Sequence, residues 1–507
     1  MIMIAKSPKI SIQQKENASW NKYQKDAFYL ANVIKQSYPK LHDKIDSLEF
    51  ENQFQKLITD LSSINNDFDF QKRLQFFIAL LKDGHSYVYI KYSNKENTIF
   101  PIVFNIEQDD FLIGALDKKY DSIIGSKILS INNISISEIK QKILLYESSE
   151  NKFCAFKNFR DKAYSDLYWQ ALGVLNNNQR NLSIKAQIND SIIKIINIEP
   201  ASKHSYYQSK MTNGTNSITR FQSNGFSYKL LKNENIGYLQ MNTCLDYVAY
   251  KSEIDNYTNF ILKPFALHFL KAKTKNAQNF GIVLRDFFKE IEQNKIDNVV
   301  LDLRNNGGGD ERLGKQFIWY ITERKNINGF NEYTQISDYY KQQMGKFYKK
   351  TEKEYYKKYH QKLQNGFYNI DSLLDDKIYF NDISKKDSPF LLDSTIPKFK
   401  GNVFVLIGAK TFSAAQIFAT TLKDNNLATI VGTPSGNKPT TQTSVSLLKL
   451  PKTKTIVYLS FMYFERPNKL KNNEIALFPD VEIWNRIKDY YNGNDKQFEY
   501  IITKCKK

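Results

Sequence analysis

Two stretches of this chain share one grammar, and together they limit its fold more than any other feature. Residues 296–321 read IDNVVLDLRNNGGGDERLGKQFIWYI, and residues 402–418 read NVFVLIGAKTFSAAQIF. Each opens with a predominantly apolar run of the kind buried on both faces of a parallel sheet. Each then passes through a tight turn into a segment with helical spacing. Strand–turn–helix units of this sort, with further apolar strands in NIGYLQMNTC and LATIVG, imply an α/β core. In such cores sites form at the carboxyl edge of the sheet, where these two turns lie.

The turns carry the candidate chemistry. In the second, Ser413 stands at the start of a small-residue helix, with its hydroxyl and the Ala414 N–H at the positive end of the helix dipole. That placement suits a nucleophile whose attack generates an oxyanion. It equally suits an ordinary N-cap. In the first turn, Gly307, Gly308 and Gly309 expose backbone N–H groups without a Cβ barrier. They fit an oxyanion hole, or simply a tight strand-to-helix turn; no GxGxxG pattern or Lys-Ser/Thr closes a phosphate loop. A third feature is LLKDGHSYVYI, where His85 sits between a helix and a β-rich run; a structural histidine and a general base are both open there. His42, His204, His268 and His360 lie in no comparable turn.

Around these motifs the chain divides into three parts. Residues 1–90 form an N-terminal helical region, with a helix stop expected at Asp83-Gly84. Residues 91–228 form a β-rich linking region. Within it, IIGSKILSINNISISEIKQKI resembles the strand, turn and helix of a PDZ domain, Asn132-Asn133 standing in for the usual Asn-Gly corner. Residues 229–490 form the α/β core, with helical stretches through 262–293 and a Lys/Tyr-rich insertion at 323–397. The aromatic spacing of the insertion suggests a helical hairpin burying one face, or a lid over a cleft.

Composition narrows the class. Hydrophobic residues at 41% and aromatics at 14% exclude a disordered or collagen-like chain. No apolar stretch approaches the ~18 residues of a membrane span. The +19 net charge is spread along the chain among acids and aromatics, so it is no nucleic-acid footprint, and nucleic acid is not expected as a partner. Cys154, Cys244 and Cys505 form neither a disulfide framework nor, with the histidines, a zinc spacing. The opening MIMIAKSPKISIQQKENASW lacks an apolar signal-peptide region, which fits a cytoplasmic chain or a processed one.

Taken in order, these motifs resemble the serine peptidases of the tail-specific, or C-terminal processing, and tricorn-core family. DLRNNGGG resembles its glycine element, TFSAAQIFATTLKDNNLATIVGTPSGNKP its serine helix and following turn, and FPDVEI its closing segment. The resemblance implies a crotonase-like peptidase core within an α+β whole, and a serine peptidase working through an acyl-enzyme, for which no metal or cofactor is expected. It implies Ser413 as nucleophile, with Gly307, Gly308 and Ala414 around the oxyanion. The family uses two bases. Its lysine branch places one where Lys438 stands, although Asn437 and Pro439 replace the usual glycines here. Its tricorn-like branch uses a histidine in DGH(S/T), and DGHS is intact, which favours His85. In that branch a glutamate orients the histidine; Glu474 is the expected candidate, with Glu465 behind it. A polypeptide substrate, held by its C-terminus, and an exported location are further implications. The alternative reading is a non-catalytic peptide or lipid binder on the same scaffold.

Overall fold

The computed structural model describes residues 3–4, 17–92, 98–115, 122–176, 181–202, 225–255, 277–370, 379–487, 489 and 492–506. The expected helical stretch at 262–276, His204 and His268 lie outside them, as does the side chain of Phe347.

The core is a six-stranded sheet in the order Phe226–Leu231, Ile236–Met241, Asn298–Asp302, Asn402–Ile407, Thr429–Gly432, Val481–Glu482. The first pair is antiparallel and the rest are parallel. Every residue of Ile236–Met241 and Asn298–Asp302 is buried, as expected of largely apolar strands covered on both faces, and the polar Gln240, Asn298 and Asp302 are buried with them. Alternate residues point to opposite faces. Val299, Leu301, Val405 and Ile407 pack with the helices Phe280–Gln293, Arg312–Ile321 and Ala414–Asp424. Val300, Leu406 and Val431 pack with Phe498 and Ile501 of the helix Lys496–Cys505.

A second sheet is built on the hairpin Thr441–Lys449 and Ile456–Glu465. The insertion joins it: Asn331–Ile336 pairs with Ile456–Glu465, and Gly366–Asn369 pairs with Asn331–Ile336, both antiparallel. Its helices Asp338–Met344 and Lys346–Tyr359 lie between those two strands. The expected helical hairpin is therefore half right. Tyr339, Tyr340 and Tyr348 are buried as its aromatic face, but the flanking segments extend because a sheet edge offers them backbone partners.

The N-terminal helices Lys22–Ser37, Ser47–Leu61 and Asp67–Ala79 start at Asn21, Asp46 and Asn66, whose side chains cap them. They share one core with a small antiparallel sheet, Val103–Glu107 to Ile193–Ile198, and with Leu448, Leu450, Val457 and Leu459 of the hairpin. Within the small sheet, Asn132 (φ 50°) and Asn133 (φ 63°) make the expected corner ahead of the helix Ile136–Tyr146. The third helix ends at Ala79, earlier than the Asp83-Gly84 stop; Lys82 (φ 45°) turns the chain. Gly84 serves close approach instead, since a Cβ there would lie 2.9 Å from both Glu150 Oε2 and the Phe412 ring.

Candidate active site

Two adjacent parallel strands deliver the glycine bend and the serine turn to the same edge. Asn298–Asp302 pairs in register with Asn402–Ile407, and the turns that follow are tied together. Phe412 N–H donates to Asn306 O (3.1 Å) and Thr411 Oγ1 donates to Leu303 O (2.9 Å). Below the bend, the buried Arg304 guanidinium bonds Asp302, Asp495 and Gln497, which fixes the strand end to the C-terminal helix. The bend meets the serine directly. A Cβ on Gly308 (φ 103°) would stand 2.7 Å from Ser413 Cβ and 3.0 Å from Ala414 N.

Ser413 occupies the N-cap position, yet its side chain makes no capping hydrogen bond. Its backbone lies at φ 52°, ψ −129°, a conformation non-glycine residues rarely hold without support. The support is Asn437, whose Oδ1 accepts the Ser413 N–H (3.0 Å). The hydroxyl is thus left to a cleft of about 420 Å³ that Ser413 lines together with His85, Gly309, Ala414, Thr443 and Ser444.

His85 reaches that cleft from the N-terminal region. The turn that holds it docks on the hairpin: Tyr87–Val88 pairs antiparallel with Val457–Tyr458, and buried Ser86 Oγ accepts the Ser460 N–H (3.0 Å). Asp83 organises the turn, accepting from His85 N–H (2.9 Å), Tyr38 OH (3.0 Å) and Ser86 Oγ (2.5 Å). The imidazole is 6% exposed and packs on Phe412, with ring centroids 4.6 Å apart. Among the described residues neither ring nitrogen makes a regular hydrogen bond. Nδ1 lies 3.8 Å from Asp83 Oδ1. Burial lowers the imidazole pKa, against the upward pull of Asp83 and of the Gln442 carbonyl.

A carboxylate absent from the sequence reading ties these parts together. Glu150 Oε1 accepts from Asn437 Nδ2 (2.7 Å) and Thr441 Oγ1 (2.7 Å), and Oε2 accepts from Gly84 N–H (3.2 Å). It therefore joins the histidine turn to the residue that holds the nucleophile's amide. Burial, with Asp83 nearby, pushes its carboxyl up to about 7. Ligand atoms of Asp83, His85 and Glu150 all lie within 4.8 Å of one another. Each carboxylate already accepts three hydrogen bonds from protein donors, so the trio reads as a hydrogen-bonded support for the histidine turn.

The remaining expected residues fall elsewhere. Lys438 is half-buried beside Lys44 and Glu150; burial first, then Lys44, lowers its ammonium pKa, while Glu150 raises it. It does not line the cleft. Glu474 Oε2 accepts from Arg466 Nη1 (2.5 Å), and Arg466 also binds Asp424 at the end of the serine helix. Glu465 bonds Asn331, Asn472 and Lys469. Both glutamates are engaged in structural ion pairs instead of facing His85. In the glycine bend, Gly308 N–H donates to Asn306 Oδ1 (2.9 Å), whereas the N–H groups of Gly307, Gly309 and Ala414 have no partner among the described residues. Asp83 was visible in DGHS, two positions before the histidine. Glu150 carried no signal, because its partners lie far away in sequence.

A profile of peptidase family S41 matches residues 235–483. No curated protein matches the chain in sequence. Among solved structures, mature CPAF complexed with lactacystin superposes with TM-score 0.63 at 13% identity, covering 96% of this chain and 97% of that one. Mature CPAF gives 0.62 at 14% identity, covering 96% of each chain. The photosystem II D1 C-terminal processing protease gives 0.40 at 12% identity, covering 91% and 93%. Among the described residues no helix is long and apolar enough to cross a membrane.

Proposed function

We propose that in this chain, which belongs to peptidase family S41 and is a serine-type peptidase acting on polypeptides, Ser413 is the nucleophile and His85 its base. The observation that carries the assignment is that a serine free of capping duty and a buried imidazole without regular partners line one cleft.

Ser413 Oγ attacks the scissile carbonyl while His85 Nε2 takes its proton. The lowered pKa keeps the imidazole neutral near pH 7, as a base must be. Nδ1 faces Asp83 Oδ1 at 3.8 Å, and the carboxylate's charge favours the imidazolium that forms. The carbonyl oxygen becomes an oxyanion held by the N–H groups of Ala414 and Gly309, each contributing ~3 kcal/mol in comparable sites. Gly307 is a further donor on the exposed side of the bend. His85 returns the proton to the leaving amine, and water attacks the acyl-enzyme by the same route. Asn437 and Glu150 act as positioning residues, the first on the Ser413 amide and the second on Asn437 and the Gly84 turn.

The Ser413–Lys438 dyad is the weaker reading, because Lys438 stands outside the lining of the cleft. The small sheet at 103–198 is the place for PDZ-like capture of a substrate's C-terminus. Resemblance alone points to an exported location. The test is an unstructured peptide assay on Ser413→Ala, His85→Ala and Lys438→Ala. The first two should lose turnover and labelling by a fluorophosphonate, while Lys438→Ala keeps both. Turnover surviving in Ser413→Ala refutes the mechanism, and loss only in Lys438→Ala transfers the base.

A further inference from the structure

The strand Thr441–Lys449 runs past the candidate site in a consistent order. The Gln442 carbonyl lies against the His85 ring. Thr443, Ser444 and Val445 line the cleft beside Ser413. At Ser444 the ladder to Ile456–Glu465 is interrupted, and the residue turns to φ 58°, while Thr443↔Met462 and Val445↔Ser460 keep the same register on either side. The other edge of this strand has one partner among the described residues, a two-residue segment of the same chain. Met3 pairs with Ser446 and Ile4 with Leu447, in parallel. An extended chain in that register, followed towards its N-terminus, passes Val445 and Ser444 and so heads into the cleft. At ~3.3 Å per residue, Ser446 lies about 10 Å along the strand from Thr443.

We propose that the edge of this strand from Ser444 to Leu447 is the docking edge for an extended polypeptide substrate, which runs parallel to it and lays down there the residues that follow the scissile bond. The proposal rests on the serine-peptidase assignment above for its direction. Backbone pairing supplies affinity without demanding a sequence, as strand addition does elsewhere. The chain's own Met3–Ile4 segment shows that the edge accepts a strand in this orientation, and it competes with substrate for the same backbone groups.

The test uses the full chain. A fluorescent peptide of residues 1–12, MIMIAKSPKISI, is titrated into Ser413→Ala and into Ser413→Ala carrying Met3→Pro and Ile4→Pro, which cannot donate to the ladder. The proline variant should bind the peptide about threefold more tightly or better, because its edge is vacated. N-methylating the peptide at Met3 or Ile4, whichever amide points at the strand, should weaken binding about tenfold. With wild type and an unstructured substrate, the unmethylated peptide should raise KM and leave kcat unchanged. Equal affinity for the two variants, indifference to methylation at both positions, or inhibition through kcat alone would each overturn the docking edge. Binding is read without turnover, so a wild type that cleaves nothing counts against the peptidase mechanism and leaves the binding arms to judge the edge.

Discussion

Asn437→Ala is the sharpest perturbation of the site, because Asn437 touches the nucleophile only through its backbone. The side chain is fully buried and holds two bonds, accepting from Ser413 N–H (3.0 Å) and donating to Glu150 (2.7 Å). A hydrogen bond to a charged group is worth ~1.5–3 kcal/mol and a neutral one ~1 kcal/mol. Ser413 also sits at φ 52°, ψ −129°, a conformation costing ~1–3 kcal/mol that relaxes once its amide is released. If ~2.7 kcal/mol of this is lost at the transition state, kcat falls about 100-fold. KM should move little, since Asn437 does not line the cleft. The assay is steady-state cleavage of an unstructured peptide, with circular dichroism to confirm folding and fluorophosphonate labelling to follow the serine itself. Labelling should slow in proportion to kcat. A folded variant with kcat within about twofold of wild type would refute the reasoning, as would a loss confined to KM.

Other consequences are as specific. Gly308→Ala should abolish activity, because φ 103° disfavours a side chain and the new Cβ would stand 2.7 Å from Ser413 Cβ; wild-type rates in the peptide assay would contradict this contact. Glu150 is raised from 4.5 to about 7 in the folded chain, so the stability it contributes is complete below about 4.5 and is lost as pH rises through 7. The Tm of Glu150→Gln minus that of wild type should therefore grow from about pH 5 to about pH 8; a constant difference refutes it. His85, lowered from 6.5, should place the acid limb of kcat/KM below about 6.5, and a limb above that value would argue against it as base. Cys154 and Cys244 are buried, with burial pushing both thiols up (Cys154 to about 12), so a thiol reagent should modify Cys505 alone in the native state and leave activity intact.

Local pattern carried much of this. The apolar runs at 298–302 and 402–407 announce strands buried on both faces, and the glycines and the serine that follow them mark the sheet edge, because strand burial and turn chemistry depend on neighbouring residues. The insertion at 323–397 shows the limit of such reading. Its tyrosine spacing gives two helices correctly, but its flanking strands exist only because the Ile456–Glu465 edge is there to receive them.

The amino-acid order by itself determined the α/β core, the family likeness, and the presence of Ser413 and His85 as chemically apt side chains. Tertiary structure alone decided how they are served. Glu474, apt by position, is claimed by Arg466, while Glu150 and Asn437, which no spacing marked, close around the histidine turn and the serine amide. Side-chain pairing between segments hundreds of residues apart has no period along the chain. It is fixed by which strand lies beside which, and by which buried polar group must find a partner once water is gone.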